Sequence, residues 1–356
     1  MNIAILGYGT VGSGVAQVLH ENHAHIVHSA MDTEIQIKYI LDLREFPDDP
    51  YGSLVIHDFD TILHDPSIGV VVETMGGTRF AYPYVKACLE AGKSVVTSNK
   101  ELVAMHGYEL LRISDDKNVN FLFEASVGGG IPIVRPIYQC LAANEISEVV
   151  GILNGTTNFM LTKMVSDGMP YEAALRIAQE LGYAEKDPTA DVEGHDACRK
   201  ICILAALAFG KHIYPDQVAT SGISQVTYED TKLAQIHGCA IKLIGRAKRL
   251  GDGRIFAEVA PMFVPKKNLL ASVDGVYNAI QVRGNAIGDV LFYGRGAGKE
   301  PTASAVVADI IDCCKHTRQK KFFGWDAPDP AYVAERNDDA CADVIQGTYN
   351  SYCILQ

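Results

Sequence analysis

The first hundred residues repeat one pattern: a short apolar run, a glycine-rich or polar break, then apolar positions at helical spacing. Ile3-Ala-Ile-Leu6 reads as a buried strand that passes straight into Gly7-Tyr8-Gly9-Thr10-Val11-Gly12. Val11, Val15, Val18 and Leu19 then share one side of a predicted helix over residues 11–19. Residues 35–41 give a second strand that ends in Asp42-Leu43-Arg44. Residues 69–74 give a third, ending in Met75-Gly76-Gly77. A helix over residues 82–91 is closed by Gly92, and the strand at residues 94–97 ends in Ser98-Asn99-Lys100. One more strand, residues 120–124, runs into Ala125-Ser-Val127-Gly128-Gly129-Gly130-Ile131-Pro132. Strands alternating with helices predict a doubly wound parallel sheet of Rossmann type.

The rhythm then changes. A strand over residues 148–153 leads into Asn154-Gly155-Thr156-Thr157-Asn158 and a helix over residues 159–165. Residues 201–209 are apolar on every face, the mark of a buried helix. Strands around residues 257–263 and 278–283 follow, then Gly294-Arg-Gly-Ala-Gly-Lys299 and an alanine-rich helix over residues 302–313. That helix suggests a return of the chain to the first domain. The division expected is residues 1–131 as a dinucleotide-binding domain completed by a helix at about 295–315. An α+β domain follows at 132–294, and 316–356 form a polar, peripheral tail.

Composition narrows the partners. Among 356 residues the net charge is −12, which argues against nucleic acid and anionic membrane surfaces. No apolar run reaches the roughly 18 residues a membrane span needs, and a strand beginning at residue 2 leaves no room for a signal peptide. Nine cysteines, an odd number without a CxxC pair, read as reduced thiols in a cytoplasmic protein.

Several places can carry chemistry. In the opening loop Gly7 permits the tight turn, Gly9 lets the backbone approach a pyrophosphate, and Gly12 permits close helix–strand packing. At the second strand's end an acid suits the ribose 2′-hydroxyl of NAD and an arginine suits the 2′-phosphate of NADP. The chain has both, Asp42 and Arg44, although Arg44 facing solvent is the alternative. The second place is the run from residue 182 to 200, which delivers a charge cluster to the mouth of the buried helix. Asp196 and Lys200 stand four apart on one helical face, where charges beside a core are costly unless paired or used. Lys100, at the carboxyl end of a parallel strand, lies on the ligand side of the sheet or merely starts a helix. The third is the turn after Glu124, whose inward carbonyls suit a hard cation or no ion at all. The Asn154 loop offers free N–H groups for a carboxylate, or an N-cap and nothing more.

Taken together, these motifs resemble homoserine dehydrogenase over about residues 1–315. The resemblance rests on Gly7 to Gly12, Ser98-Asn-Lys100, Glu124 to Pro132, Gly151-Ile-Leu-Asn-Gly-Thr-Thr-Asn158 and Gly182 to Lys200. It implies reversible hydride transfer between L-homoserine and L-aspartate 4-semialdehyde with NADP or NAD, leaning to NADP, on the route to threonine, isoleucine and methionine. It implies a homodimer built on the 132–294 domain, which would bind substrate and dimerise. Tyr8, Thr10 and Val11 would line the pyrophosphate, with Met75 and Gly76 near the cofactor. Glu185 would take the substrate ammonium, Gly155 and Thr156 its carboxylate. Asp196 would bond the reacting hydroxyl, Tyr183 would border the pocket, and Asp191 would be a structural or proton-relay acid. Lys100 and Lys200 are the proton-transfer candidates. Glu124, Val127, Gly129 and Ile131 match the family's sodium-binding turn.

A lysine near its ordinary pKa of ~10.4 is a poor base at neutral pH. Two neighbouring lysines that depress one another, helped by burial, make a workable acid/base device. An inactive NADP-binding regulator, or another amino-acid dehydrogenase on this fold, are the rivals. No aspartate kinase domain is expected ahead of the first strand, and the 40-odd residues after Lys315 are too few for a threonine-sensing ACT domain of roughly 80 residues. Residues 316–356 are therefore expected to be a truncated remnant or a dimer-wrapping arm, with Cys353 a candidate for pairing across the dimer.

Overall fold

The computed structural model describes residues 1–317, 321–341, 344, 348–349 and 352–355. The chain forms two compact units, Met1–Val134 with Ala297–Phe323, and Arg135–Gly296 with Gly324–Gln356.

The first unit is built on β1 (Asn2–Leu6), β2 (Gln36–Leu41), β3 (Val55–Ile56), β4 (Ile68–Glu73), β5 (Ser94–Thr97) and β6 (Phe121–Leu122). They form one sheet in the order β3-β2-β1-β4-β5-β6, and every pairing is parallel. Strand order reverses between β1 and β4, so a crevice opens beyond their carboxyl ends. The helices between strands are α1 (Thr10–Glu21), α2 (His23–Ser29), α3 (Phe59–His64), α4 (Ala81–Glu90) and α5 (Lys100–Lys117). α2 forms where only a polar surface segment was expected, and its three histidines leave just Ile26 buried. Glycine decides how α1 meets β1: a Cβ at Gly12 would stand 2.1 Å from the Gly7 carbonyl oxygen.

The second unit holds β7 (Ile146–Ile152), α6 (Gly155–Ser166), α7 (Tyr171–Glu180), α8 (Thr189–Val192), α9 (His195–Phe209), β8 (Ala219–Thr220), α10 (Tyr228–Ile236), β9 (Cys239–Arg249), β10 (Ile255–Pro265), β11 (Tyr277–Gly284), β12 (Gly288–Arg295), β13 (Thr348–Tyr349) and β14 (Tyr352–Ile354). The remaining helix, α11 (Lys299–Lys315), packs on α1 in the first unit. The sheet runs β12-β11-β7-β9-β10-β14-β13, with β8 also on β10. α9 packs on β7, β9 and β10, and Ile201 to Ala206 are all buried, as an all-round apolar helix requires.

Three expectations need correction. β9 carries Lys242, Arg246 and Lys248, and those charges hid it as a strand. Lys242 and Arg246 are buried because Asp274 and Glu148 pair with them at 2.9 and 2.6 Å. Of the two readings of the Asn154 segment the N-cap holds, with Asn154 accepting the Thr157 amide at 2.9 Å, and the helix begins at Gly155 rather than at 159. The region after residue 315 is not a peripheral tail. Trp325 donates to His212 at 3.1 Å, Arg246 donates to the Val344 carbonyl, and β14 runs parallel to β10. Trp325, Ala334, Cys341, Cys353 and Leu355 are buried, but their irregular spacing carries no periodic signal. Buried Cys353 accepts from Arg336 at 3.2 Å, which leaves it poorly placed for a bond to a second chain. Part of that region, residues 318–320, 342–343, 345–347, 350–351 and 356, lies outside the described residues.

Candidate active site

A cavity of about 440 Å³ opens at the switch point of the first unit, lined by Gly7, Gly9, Asp42, Arg44, Met75 and Gly76 among others. Gly7 has φ +91°, and a Cβ there would meet Met75 atoms at 2.9–3.0 Å. Only glycine holds that loop against the β4 turn. Thr74 donates its hydroxyl to the Gly7 carbonyl at 2.7 Å and ties the two strand ends together. Gly9 caps α1 with open space around it, which leaves the helix N-terminus accessible to an anion. The cavity is therefore shaped for a pyrophosphate by backbone rather than by charge.

One side of the cavity is a charged wall. Arg44 donates from Nε and Nη2 to the two Asp42 oxygens, both at 3.0 Å, while the Tyr8 amide donates to Asp42 Oδ2 at 2.7 Å. These bonds, Arg44 first, hold the Asp42 carboxyl down at about 2 despite its burial. Arg44 stacks on Phe46 at 5.1 Å. His57, on the same wall, bonds the Asp42 carbonyl and Glu45 at 2.7 Å each, and these contacts raise its pKa. Tyr8 itself is turned into the protein: its ring is buried edge-on to Phe46, and its hydroxyl donates to Asp49 at 3.0 Å. Tyr8, Thr10, Val11 and Gly12 belong to the loop and α1 but are not among the residues lining the cavity.

Lys100 is the first residue of α5, with Asn99 as its N-cap. It is half-buried. Glu124 is buried at the end of β6, where Oε1 accepts the amides of Ile133 and Val134 at 2.6 and 2.8 Å. Asp309 holds the Glu124 amide from α11. In the same turn Gly129 is left-handed (φ +58°), and a Cβ on Gly128 would be 2.3 Å from the Ile131 carbonyl oxygen. A buried carboxylate beside a crowded turn of carbonyls fits the oxygen preference of a hard monovalent cation. Among the described residues no group of three or more His, Cys, Asp or Glu is placed to hold a metal ion.

The second unit brings Asp191, Asp196 and Lys200 together on α8 and α9. Lys200 lies 2.9 Å from Asp196, both buried, and donates to the Leu153 carbonyl at 2.8 Å. Asn154 donates from Nδ2 to Asp191 at 2.7 Å and to Asp196 at 3.0 Å. Asp191, Asn154, Asp196, Lys200 and Leu153 thus form one connected network at the N-terminal ends of α6 and α9. Left-handed Gly194 (φ +81°) makes the bend that brings Asp191 and Asp196 onto the same asparagine. In α6, Thr156 donates its hydroxyl to the Tyr183 carbonyl at 2.6 Å, so the 182–200 segment is fastened to the first turn of that helix. A Cβ on Gly155 would be 2.7 Å from the Val276 carbonyl oxygen. Tyr183 is 44% exposed and packs edge-on to Phe159. Glu185 is exposed, and its carboxylate makes no ion pair among the described residues.

The residues anticipated from sequence therefore fall into two sets, Gly7 to Ile131 in the first unit and Gly155 to Lys200 in the second. Two polar side chains take roles that were not anticipated. Asn154 bridges the two aspartates; its signal was an asparagine three before Thr157, the spacing of an N-cap. Glu73 lies buried under the cavity turn, signalled only by an acid closing an otherwise apolar strand.

Comparison with known proteins agrees in both units. The homoserine dehydrogenase family profile matches residues 132–311, and that family's NAD-binding domain matches residues 7–124. A homoserine dehydrogenase of Lactococcus lactis is 43% identical over 323 residues, 89% of this chain and 75% of that protein. The crystal structure of a homoserine dehydrogenase from Thiobacillus denitrificans is 39% identical, with a TM-score of 0.86 over 94% of this chain and 78% of that one. A hyperthermophilic archaeal homoserine dehydrogenase solved in complex with NADPH is 27% identical, with a TM-score of 0.73 over 87% of this chain and 96% of that one.

Proposed function

Because this chain belongs to the homoserine dehydrogenase family and is an oxidoreductase acting on a CH–OH group, we propose that its buried Asp196–Lys200 pair handles the hydroxyl proton of L-homoserine. The observation that carries this is the pair itself. Two opposite charges sit together inside the protein, aimed by Asn154 and the Leu153 carbonyl rather than left to solvent. A buried ion pair contributes little to stability for its cost, so its retention here points to chemistry.

A bound nicotinamide coenzyme would supply the hydride acceptor in oxidation and the hydride donor in reduction. In oxidation the hydroxyl proton would pass to Lys200 in its neutral amine form, and in reduction the Lys200 ammonium would give a proton to the forming alkoxide. Asp196 orients that exchange, and Asn154 fixes Asp196 against Asp191. The substrate is a zwitterion. Glu185, exposed and without a cationic partner among the described residues, suits its ammonium. The first turn of α6, from Gly155 and Thr156, suits its carboxylate because amides at a helix N-terminus favour an anion. Tyr183 borders that pocket, and Lys100 is the second proton-transfer candidate.

For the coenzyme, the reading leans to NADP. Asp42's oxygens already accept Arg44 and the Tyr8 amide, so a ribose 2′-hydroxyl would have to displace them, whereas the Arg44 guanidinium suits a 2′-phosphate. Gly7 and Gly9 would face the pyrophosphate and Met75 and Gly76 the remainder, with Tyr8, Thr10 and Val11 contributing through the backbone of the loop and Gly12 by letting α1 close on β1. A sodium ion would be held by Glu124 with the carbonyls of Val127, Gly129 and Ile131. The second unit would bind substrate and pair two copies into a homodimer. A cytoplasmic location accords with all nine cysteines being thiols and with no helix, among the described residues, long and apolar enough to cross a membrane.

The test is NADPH formation by the purified protein with L-homoserine at alkaline pH, run beside NAD and beside L-serine and L-threonine. Growth of absorbance with homoserine alone is the expected result and ranks the two coenzymes. Coenzyme binding without turnover of any of the three amino acids would overturn the reading.

A further inference from the structure

Glu73 ends β4 and is fully buried, yet among the described residues no cation pairs with it. Its Oε1 accepts the amides of Met75 and Gly76 at 2.8 and 3.3 Å, and its Oε2 accepts the Thr97 hydroxyl at 2.5 Å. Thr97 Oγ1 in turn accepts the Asn99 amide at 2.9 Å. Asn99 donates from Nδ2 to the Gly77 carbonyl at 2.6 Å, and its Oδ1 accepts the Leu102 amide, capping α5. The bonds close a ring: Glu73, the turn at residues 75–77, Asn99, Thr97 and back to Glu73. One arc of that ring lines the coenzyme cavity through Met75 and Gly76. The opposite arc sets the backbone from which Lys100 projects. Gly76 and Gly77 are both left-handed, at φ +78° and +65°, a conformation that glycine adopts at no steric cost and that the ring of bonds selects from several.

We propose that Glu73 is a positioning residue that locks the coenzyme-facing turn at residues 75–77 to the Lys100 turn, so that both are presented in one fixed geometry. A carboxylate serves this role because it is acceptor-only: all four of its lone-pair directions can be filled by donors from two different strand ends. Burial without a counter-ion raises its pKa, and the donors oppose that rise by stabilising the ionised form. A glutamine keeps one accepting oxygen but places an NH₂ donor in the ring. The Thr97 hydroxyl, already accepting from Asn99, then has nowhere to send its own proton. This inference rests on the proposed dehydrogenase reading for its turnover arm, and not for its coenzyme-binding arm.

The experiment compares wild type with Glu73→Gln, Thr97→Val and Thr97→Ser. It measures NADPH affinity by fluorescence, kcat and the homoserine KM separately, and the thermal midpoint. Glu73→Gln is expected to weaken NADPH binding and lower kcat, each by roughly threefold to tenfold, with the homoserine KM unchanged within about twofold. Thr97→Val, which removes the hydroxyl bridge from Glu73 to the Asn99 amide and leaves the bonds to Met75, Gly76 and Gly77, is expected to lower kcat by a similar factor with near-normal NADPH affinity. Thr97→Ser, which keeps the hydroxyl, should recover most of that turnover. Wild-type NADPH affinity and kcat in both Glu73→Gln and Thr97→Val, whatever their thermal midpoints, would overturn the proposal. If Glu73→Gln fails to fold, the contrast between the Thr97 variants decides alone: equal kcat in the two overturns it. A wild-type protein that binds NADPH but does not oxidise homoserine would defeat the proposed function instead, leaving the coenzyme-affinity comparison readable.

Discussion

The cavity of the first unit and the charged network of the second solve opposite problems. Around Gly7, Gly9 and Gly12 the backbone makes the surface, and side chains matter chiefly by being absent: added Cβ atoms at Gly7 and Gly12 would strike Met75 and the Gly7 carbonyl. In the proposed site around Asp196 and Lys200 the side chains carry the chemistry, and the backbone serves by burying them and supplying the Leu153 carbonyl. A coenzyme's pyrophosphate is large, constant and anionic, so a rigid loop and a helix N-terminus suffice. Moving a proton requires a titratable group held at one point, and that requires neighbours.

The contrast is broken most severely at Lys200. Lys200→Ala is expected to lower kcat by roughly 10²–10⁴-fold while NADPH affinity stays at the wild-type value. Loss of NADPH binding in that variant would mean that the two units do not divide the labour as described. The converse variant, Gly12→Val, drives a side chain into the Gly7 carbonyl and should weaken NADPH binding at least about tenfold, some 1.4 kcal/mol, with the homoserine KM nearly unchanged. An unaltered coenzyme affinity would show that the loop has room that the structure denies.

Glu185→Gln sharpens the comparison within the second unit. It removes charge but not shape, and should raise the homoserine KM by roughly tenfold with a smaller change in kcat. An unchanged KM would remove Glu185 from the ammonium site. Arg44→Ala tests the one part of the first unit that depends on charge. NADPH affinity should fall roughly tenfold or more, and NAD should gain relative to NADP as Asp42 is released. Equal losses with both coenzymes would show Arg44 to be structural.

The smallest effect is in acid. Asp42's folded-state pKa, about 2, lies below its ordinary value of ~3.9. Its pairing therefore contributes stability that is fully present above about pH 4 and is lost as pH falls through about 2. Arg44 is largely exposed, so solvent screens the pair and the gain is small. The thermal midpoints of wild type and Arg44→Ala should differ by at most a few degrees at pH 6 and converge as pH falls below 4. A difference that widens in acid would reverse the sign of this coupling.

The parallel sheet and the opening glycine loop were legible in the chain because local rules specify both. An apolar run buried on two faces reads as a strand, and a turn with no tolerance for side chains must be glycine. β9 was illegible for the opposite reason. Lys242 and Arg246 break the apolar pattern, and only the fold supplies Asp274 and Glu148 to make their burial tolerable. The region after residue 315 looked peripheral because its buried residues follow no period, each finding its own niche: Trp325 against His212, Cys353 beside Met262.

The same division runs through the site. Sequence alone determined the fold class, the kinds of groups present, and the i,i+4 placement of Asp196 and Lys200 on one helical face, since helix geometry fixes that spacing. It could not show that Asn154 joins Asp191 to Asp196 across 37 and 42 residues of chain, or that Glu73 reaches Thr97 across 24. Those contacts exist because separate strand and helix ends converge in space. Hydrogen bonds require partners within about 3 Å, a distance that only the tertiary structure sets.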